Sequence, residues 1–184
     1  MTENMEKYYK IAGLTVKMDV SGRTETQARP YEIPACRNVD IKVSPDVGEI
    51  KAKFPELSRE SCEYMASERS FYHQLVNFDG LRIHASAVAI DGEAYLFAAP
   101  SGTGKSTHTG LWRQVFGDER VRILNDDKPG VRLENGIWYA YGTPWSGKTG
   151  QNLNLRVPLA GIAILERGTR NEIEPYCGAE AVFA

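Results

Sequence analysis

Over residues 8–20 the apolar side chains Ile11, Leu14, Val16, Met18 and Val20 fall mostly on alternate positions, the period of a strand with one face buried. The stretch up to Pro55 is broken by Gly22, Pro30, Pro34, Pro45 and Gly48, which predicts a small β-rich region with a further short strand over 38–43. Beyond Ser58 the period lengthens. Met65, Tyr72, Leu75 and Val76 recur at helical spacing, and the Ser58 hydroxyl suits an N-cap, so a helix over 58–77 joins the first region to the rest. Two β-like runs, 81–90 and 93–98, flank Asp91-Gly92, and the run 131–141 alternates around Asn135-Gly136; both dipeptides favour tight hairpin turns. A helix is expected over 107–116 and a short strand over 121–124, reached by a crossover and therefore parallel to 94–98. A short apolar run over 159–165 suits a buried strand. The fold class that follows is α/β: a mixed, largely antiparallel sheet with few helices over 57–184, preceded by the β-rich region over 1–56. Residues 178–184 read as the opening turns of a helix without a stop signal, the pattern of a chain truncated from a longer protein.

Between the strand at 94–98 and the helix at 107–116 lies Ala99-Pro100-Ser101-Gly102-Thr103-Gly104-Lys105-Ser106. A glycine-rich turn at a helix start aims several main-chain N–H groups at phosphate oxygens, and the helix dipole adds positive potential. Ser101, Gly102, Thr103, Gly104, Lys105, Ser106 and Thr107 are therefore predicted to contact a nucleoside triphosphate, with Lys105 supplying charge and Ser106 a hydroxyl for Mg²⁺. Ala99 stands where the strict pattern has glycine. The competing reading is a glycine turn with no ligand.

Further on, Asn125-Asp126-Asp127 ends the 121–124 strand and places two carboxylates at the same crevice. One, Asp126, is the candidate to hold Mg²⁺ with Ser106, and the other can take the proton of an attacking hydroxyl; the spacing leaves the division of roles open. A solvated turn is the plainer reading of the pair taken alone. Gly142-Thr143-Pro144-Trp145-Ser146-Gly147-Lys148 reads as a loop of small residues suited to close backbone approach, with Lys148 placed to stabilise a transferring phosphoryl group. An ordinary turn with an exposed lysine fits equally well, and Arg156 is a weaker candidate of the same kind. His84 begins the strand beside the phosphate loop and can point into the crevice as a proton or phosphate partner, although a lone histidine more often serves as a structural hydrogen-bonder. His73 and His108 read as surface or packing residues.

Composition narrows the partners. The 184 residues are 42% hydrophobic and 25% charged, enough for a proper core, and the formal net charge of -2 with no dense Lys/Arg cluster lacks the footprint of a nucleic-acid binder. Cys36, Cys62 and Cys177 are odd in number and widely spaced, which suits reduced thiols. No signal-peptide core and no run of membrane-spanning length is found, so a soluble, cytoplasmic protein is expected. Gly102-Thr103-Gly104-Lys105-Ser106-Thr107 ends in Thr rather than the third glycine of a dinucleotide site, and no Asn-Lys-x-Asp follows to read guanine, which leaves ATP as the default.

Together, His84 on a strand, the hairpin, Ser101-Gly-Thr-Gly-Lys-Ser106, Asn125-Asp-Asp127 and Gly142-Thr-Pro-Trp145 resemble the HPr kinase/phosphorylase-related proteins, which share the phosphate-loop fold of phosphoenolpyruvate carboxykinases. The likeness covers roughly residues 81–168. It implies an ATP- and Mg²⁺-dependent kinase acting on a serine hydroxyl of a protein or peptide, with homo-oligomers common among such proteins. By position it implies His84 as the active-site histidine, Lys105 and Ser106 as phosphate and metal contacts, and Asp126 and Asp127 as metal and base carboxylates. The Glu-Ile-Arg-Gly-like segment tied to dephosphorylation is not recognisable, so neither phosphorylase activity nor HPr as the acceptor is implied. A small-molecule kinase or carboxykinase-like enzyme and a non-catalytic ATP-binding regulatory module are the alternatives.

Overall fold

The computed structural model describes residues 7–177, and the helix start expected over 178–184 lies outside them. Strands β1 (Lys7–Ile11) and β2 (Leu14–Met18) form a hairpin in which Ile11 pairs with Leu14. Its two turn residues, Ala12 and Gly13, have φ of 50° and 76°, the left-handed pair that matches the twist of a tight hairpin. The single strand expected over 8–20 is thus two strands, and the wide step from Ile11 to Leu14 is the turn. β3 (Glu32–Ile33) and β4 (Ile41–Val43) complete a four-stranded sheet in the order β3-β1-β2-β4. The Pro/Gly-broken stretch also holds two short helices, α1 (Gly22–Ala28) and α2 (Val47–Lys53), so the β-rich expectation for this region is only partly right. α2 is started by Asp46, whose carboxylate accepts from Glu49 N at 2.8 Å.

Helix α3 (Arg59–Leu75) begins as expected, with the Ser58 hydroxyl accepting from Ser61 N at 3.1 Å. Tyr64, Phe71, Tyr72 and Leu75 fall on its buried face and pack with Tyr9, Ile11, Val16 and Met18 of the hairpin and with Tyr141 and Trp145 in one apolar core. Arg132 adds a polar tie, donating to the Ala12 carbonyl at 2.8 Å.

The remaining elements are β5 (Gly80–Arg82), β6 (Ala85–Ile90), β7 (Glu93–Ala98), α4 (Lys105–Phe116), β8 (Val121–Asn125), β9 (Gly130–Glu134), β10 (Ile137–Tyr141) and β11 (Arg156–Ile164). Their seven strands form one sheet in the order β5-β9-β10-β11-β7-β6-β8, antiparallel at every step except β11 beside β7. The fold is therefore mixed α/β, with two mostly antiparallel sheets and few helices. Both expected hairpin turns are present, with Asp91-Gly92 and Asn135-Gly136 at positive φ. Three details differ from the sequence reading. The run 81–90 divides at Ile83-His84, because Ile83 N donates to the Pro129 carbonyl and Ala85 N to the Asp127 carbonyl, each at 3.2 Å, as the chain changes neighbours. β8 runs in the direction of β7, but β6 lies between them. β11 buries Val157 yet leaves Pro158, Ala160 and Ile162 exposed, so it is covered on one face rather than fully buried.

The register sets the site. Ala85 pairs with Ala98 and Ala87 with Asn125, so the start of β6 and the ends of β7 and β8 meet at one end of the strands. Cys36, Cys62 and Cys177 are unpaired, and among the described residues no helix is long and apolar enough to cross a membrane.

Candidate functional site

The turn after β7 takes the backbone shape that its glycines permit. Gly102 and Gly104 have φ of 81° and 118°, and a Cβ at either would meet nothing within 4 Å, so conformation rather than crowding requires glycine there. Gly104 is the N-cap of α4 and offers no side-chain cap, which leaves the first-turn N–H groups without a side-chain acceptor. Lys105 is 8% exposed, and its ammonium donates to the Ala99 carbonyl at 2.9 Å and the Pro100 carbonyl at 3.4 Å. The cation is thereby seated against the loop. Ser101, Gly102, Ser106 and Thr107 are exposed, and Thr103 and Gly104 are half-buried. From the end of β11, Arg167 donates to the Gly102 carbonyl at 2.9 Å.

Across β6, the end of β8 is shaped by a side chain that the sequence motif includes without a role of its own. Asn125 is fully buried, and its Oδ1 accepts from Asp127 N at 2.9 Å and Lys128 N at 2.7 Å, while its Nδ2 donates to the Thr143 carbonyl at 2.9 Å. Its short amide folds back on the next two residues, as Asn does in turns, and this was the legible signal. Asp126 is held from below: Ser86 Oγ donates to Oδ1 at 2.7 Å and lies 2.9 Å from Thr109 Oγ1, which bonds the Lys105 carbonyl at 3.3 Å. The carboxylate is in this way tied through β6 to the first turn of α4. Its other oxygen, Oδ2, is buried without a hydrogen-bond partner.

Asp127 faces His84, with Nε2 and Oδ1 3.3 Å apart, and its Oδ2 accepts from Lys128 Nζ at 2.6 Å. Lys128 also lies 3.5 Å from Glu68, a buried carboxylate on α3 that pairs with Arg82 at 2.6 Å. Burial, reinforced by the Lys105 charge, holds the His84 imidazole below its ordinary value against the opposing pull of Asp127, so it is neutral at pH 7.

The fold therefore gathers His84, Lys105, Asp126 and Asp127, from three separate stretches of chain, at one end of neighbouring strands. Lys148 is exposed and lines a neighbouring cavity with Arg23 and Gln27. Arg156 instead pairs with Glu134 at 3.1 Å. The residues 142–145 are a brace rather than a phosphate-facing loop. A Cβ on Gly142 would overlap the Leu153 and Leu124 carbonyls, Thr143 Oγ1 donates to the Lys128 carbonyl at 2.8 Å, and buried Trp145 stacks on Phe71 while donating to Ser67 Oγ at 3.1 Å. His108 packs on Phe97 with ring centroids 4.4 Å apart, as a packing residue should.

The donor set fits a hard divalent cation in part. Asp126 presents an unpartnered carboxylate oxygen and Ser106 an exposed hydroxyl. Among the described residues no group of three or more His, Cys, Asp or Glu side chains converges on a metal, so an ion here would draw its other ligands from phosphate and water, the habit of Mg²⁺.

Residues 58–184 match the protein family described as SynChlorMet cassette protein ScmC. The chain belongs to the ScmC family. The ScmC match opens at Ser58, the N-cap of α3, and takes in the glycine-rich turn, His84 and both aspartates. The four-stranded sheet precedes it. A comparison with curated proteins found no match.

Proposed function

We propose that this ScmC-family chain is a Mg·ATP-dependent phosphotransferase on a phosphoenolpyruvate carboxykinase/HPr kinase-like phosphate-loop fold, acting in the cytoplasm on a serine hydroxyl of a protein or peptide. The observation that supports it is the meeting at one end of the strands of a lysine-seated glycine loop with a histidine and two aspartates, one of them holding an unpartnered buried oxygen. The loop amides and Lys105 bind the triphosphate, and Lys105 moves from the loop carbonyls to phosphate oxygens when it does so. Asp126 and Ser106 would hold Mg²⁺, which would neutralise charge on the phosphates. Asp127 accepts the serine proton; Lys128 holds its Oδ2, and Oδ1, 3.3 Å from the neutral His84 imidazole, keeps lone pairs for the hydroxyl. The serine oxygen bonds to the γ-phosphorus as the bond from that phosphorus to the β-phosphate oxygen breaks, and ADP leaves.

Incubation of the full chain with Mg·[γ-³²P]ATP and serine peptides or cell lysate tests this reading. Label is expected on serine. Lys105→Ala should lose both nucleotide affinity and transfer. Asp127→Asn should keep binding and slow transfer by about 10²-fold or more, the scale of a general base. Undiminished affinity and transfer in Lys105→Ala would refute the assignment, and tight Mg·ATP binding without transfer would make the chain a regulatory module.

A further inference from the structure

Beside Asp127 lies a cavity of about 540 Å³ between α1 and the loop that follows Trp145, lined among others by Arg23, Gln27, Glu60, Lys148 and Asn152. Gly147 forms the partition between it and the aspartate. A Cβ on Gly147 would sit 2.9 Å from Asp127 Cβ, its carbonyl accepts from Gln27 Nε2 at 3.1 Å, and its N–H donates to the Tyr64 hydroxyl at 2.8 Å.

Three of the lining side chains carry buried polar atoms with no hydrogen-bond partner: Arg23 Nε, Gln27 Oε1 and Asn152 Oδ1. Gln27 itself is 9% exposed. Buried donors and acceptors are costly to leave unmet, and here one donor and two acceptors are unmet on side chains that line a single space. The charge is lopsided as well. Arg23 and Lys148 are cations, whereas the one carboxylate, Glu60, already accepts the main-chain N–H of Arg23 at 2.8 Å. The Arg23 guanidinium is stacked 3.9 Å over the Tyr64 ring, which fixes its plane.

We propose that this cavity is the acceptor subsite and that it takes a peptide whose serine is flanked by Asp or Glu. The proposal rests on the phosphotransferase reading and adds to it the substrate class and the element that selects it. The Gln27 and Asn152 amides turn toward the cavity to accept main-chain N–H groups of the peptide, an acidic side chain meets Arg23 and Lys148, and the serine hydroxyl reaches Asp127 past Gly147. A side chain at 147 would be driven into Asp127, so glycine keeps the aspartate within one main-chain thickness of the cavity. Acceptor selection then draws on Arg23 and Gln27 of α1, outside the ScmC match, together with Lys148 and Asn152 inside it, while nucleotide binding belongs to the matched region alone.

Affinity selection tests the subsite without requiring turnover. A degenerate peptide library with a fixed central serine is passed over the immobilised full chain, and retained peptides are sequenced. Retained peptides should be enriched about fivefold in Asp or Glu next to the serine, the scale of one partly exposed ion pair. Lys148→Glu, a change at an exposed side chain, should abolish or invert that preference, and Gln27→Leu should lower total retention. No acidic enrichment, or enrichment untouched by Lys148→Glu, overturns the proposal. Phosphate transfer to the same library is scored separately. Transfer without acidic enrichment would sink the subsite and leave the transferase standing, whereas enrichment without transfer would do the reverse.

Discussion

Replacing Asn125 with alanine strips the turn that presents both aspartates. Three groups lose their partner: the N–H of Asp127, the N–H of Lys128 and the Thr143 carbonyl. Thr143 Oγ1 does not, because Tyr72 still donates to it at 3.0 Å and it still donates to the Lys128 carbonyl. At about 1 kcal/mol net for each group left unpaired, the variant should be less stable by about 3 kcal/mol, roughly a 150-fold fall in the folding equilibrium constant. Urea unfolding followed by tryptophan fluorescence suits the measurement, since Trp145 is fully buried and close to the turn's Thr143 anchor. The midpoint should fall with the slope unchanged. Asn125→Asp is the companion variant. It keeps the two accepted bonds but sets a third carboxylate in a fully buried position against the Thr143 carbonyl, so it should be at least as unstable at pH 7. That deficit should shrink as pH falls and the new carboxyl is protonated. A loss below about 1 kcal/mol for Asn125→Ala would refute the role given to this amide.

His84 should titrate below its ordinary value of 6.5 when its imidazole is followed by NMR. Lys105→Ala removes a charge that pushes the value down and should raise it, whereas Asp127→Asn removes one that pushes it up and should lower it further. Because the unfolded chain protonates this histidine more readily, its contribution to stability falls as pH drops from about 6.5 through the folded value. A midpoint at or above the ordinary value would contradict the buried setting. Gly142→Ala and Gly102→Ala should separate two uses of glycine in thermal unfolding. The first drives a Cβ into two main-chain carbonyls and should cost about 3 kcal/mol or more, while the second strains only φ and should cost about 1 kcal/mol.

Local chemistry made much of the molecule legible. The Ser58 cap, the Asp91-Gly92 and Asn135-Gly136 turns and the glycine loop before α4 each act over a few residues, and each is where the sequence pattern places it. What escaped was decided by neighbours distant in sequence. The β1–β2 turn uses Ala12 at positive φ, a residue type that gives no turn signal. The insertion of β6 between β7 and β8 is a choice of strand partner that periodicity does not carry. The Gly142-Thr-Pro-Trp145 segment has the small residues of a ligand loop, yet Trp145 is drawn into the core by Phe71 and Ser67 of α3. Ser86, Thr109 and Glu68 support the aspartates and their neighbours only because the sheet register and α3 bring them there.

The apolar core shared by the hairpin, α3 and Trp145 governs how the protein can be dissected. A fragment starting at residue 58 would keep the matched region intact on paper while stripping Tyr9, Ile11, Val16 and Met18 from the aromatic underside of α3. Phe71 and Trp145 would then meet water, and self-association of the exposed patch would be the expected result. Dividing the chain at that boundary therefore removes a wall of the molecule rather than a detachable accessory, and any comparison of nucleotide binding between the fragment and the whole chain would measure that damage first.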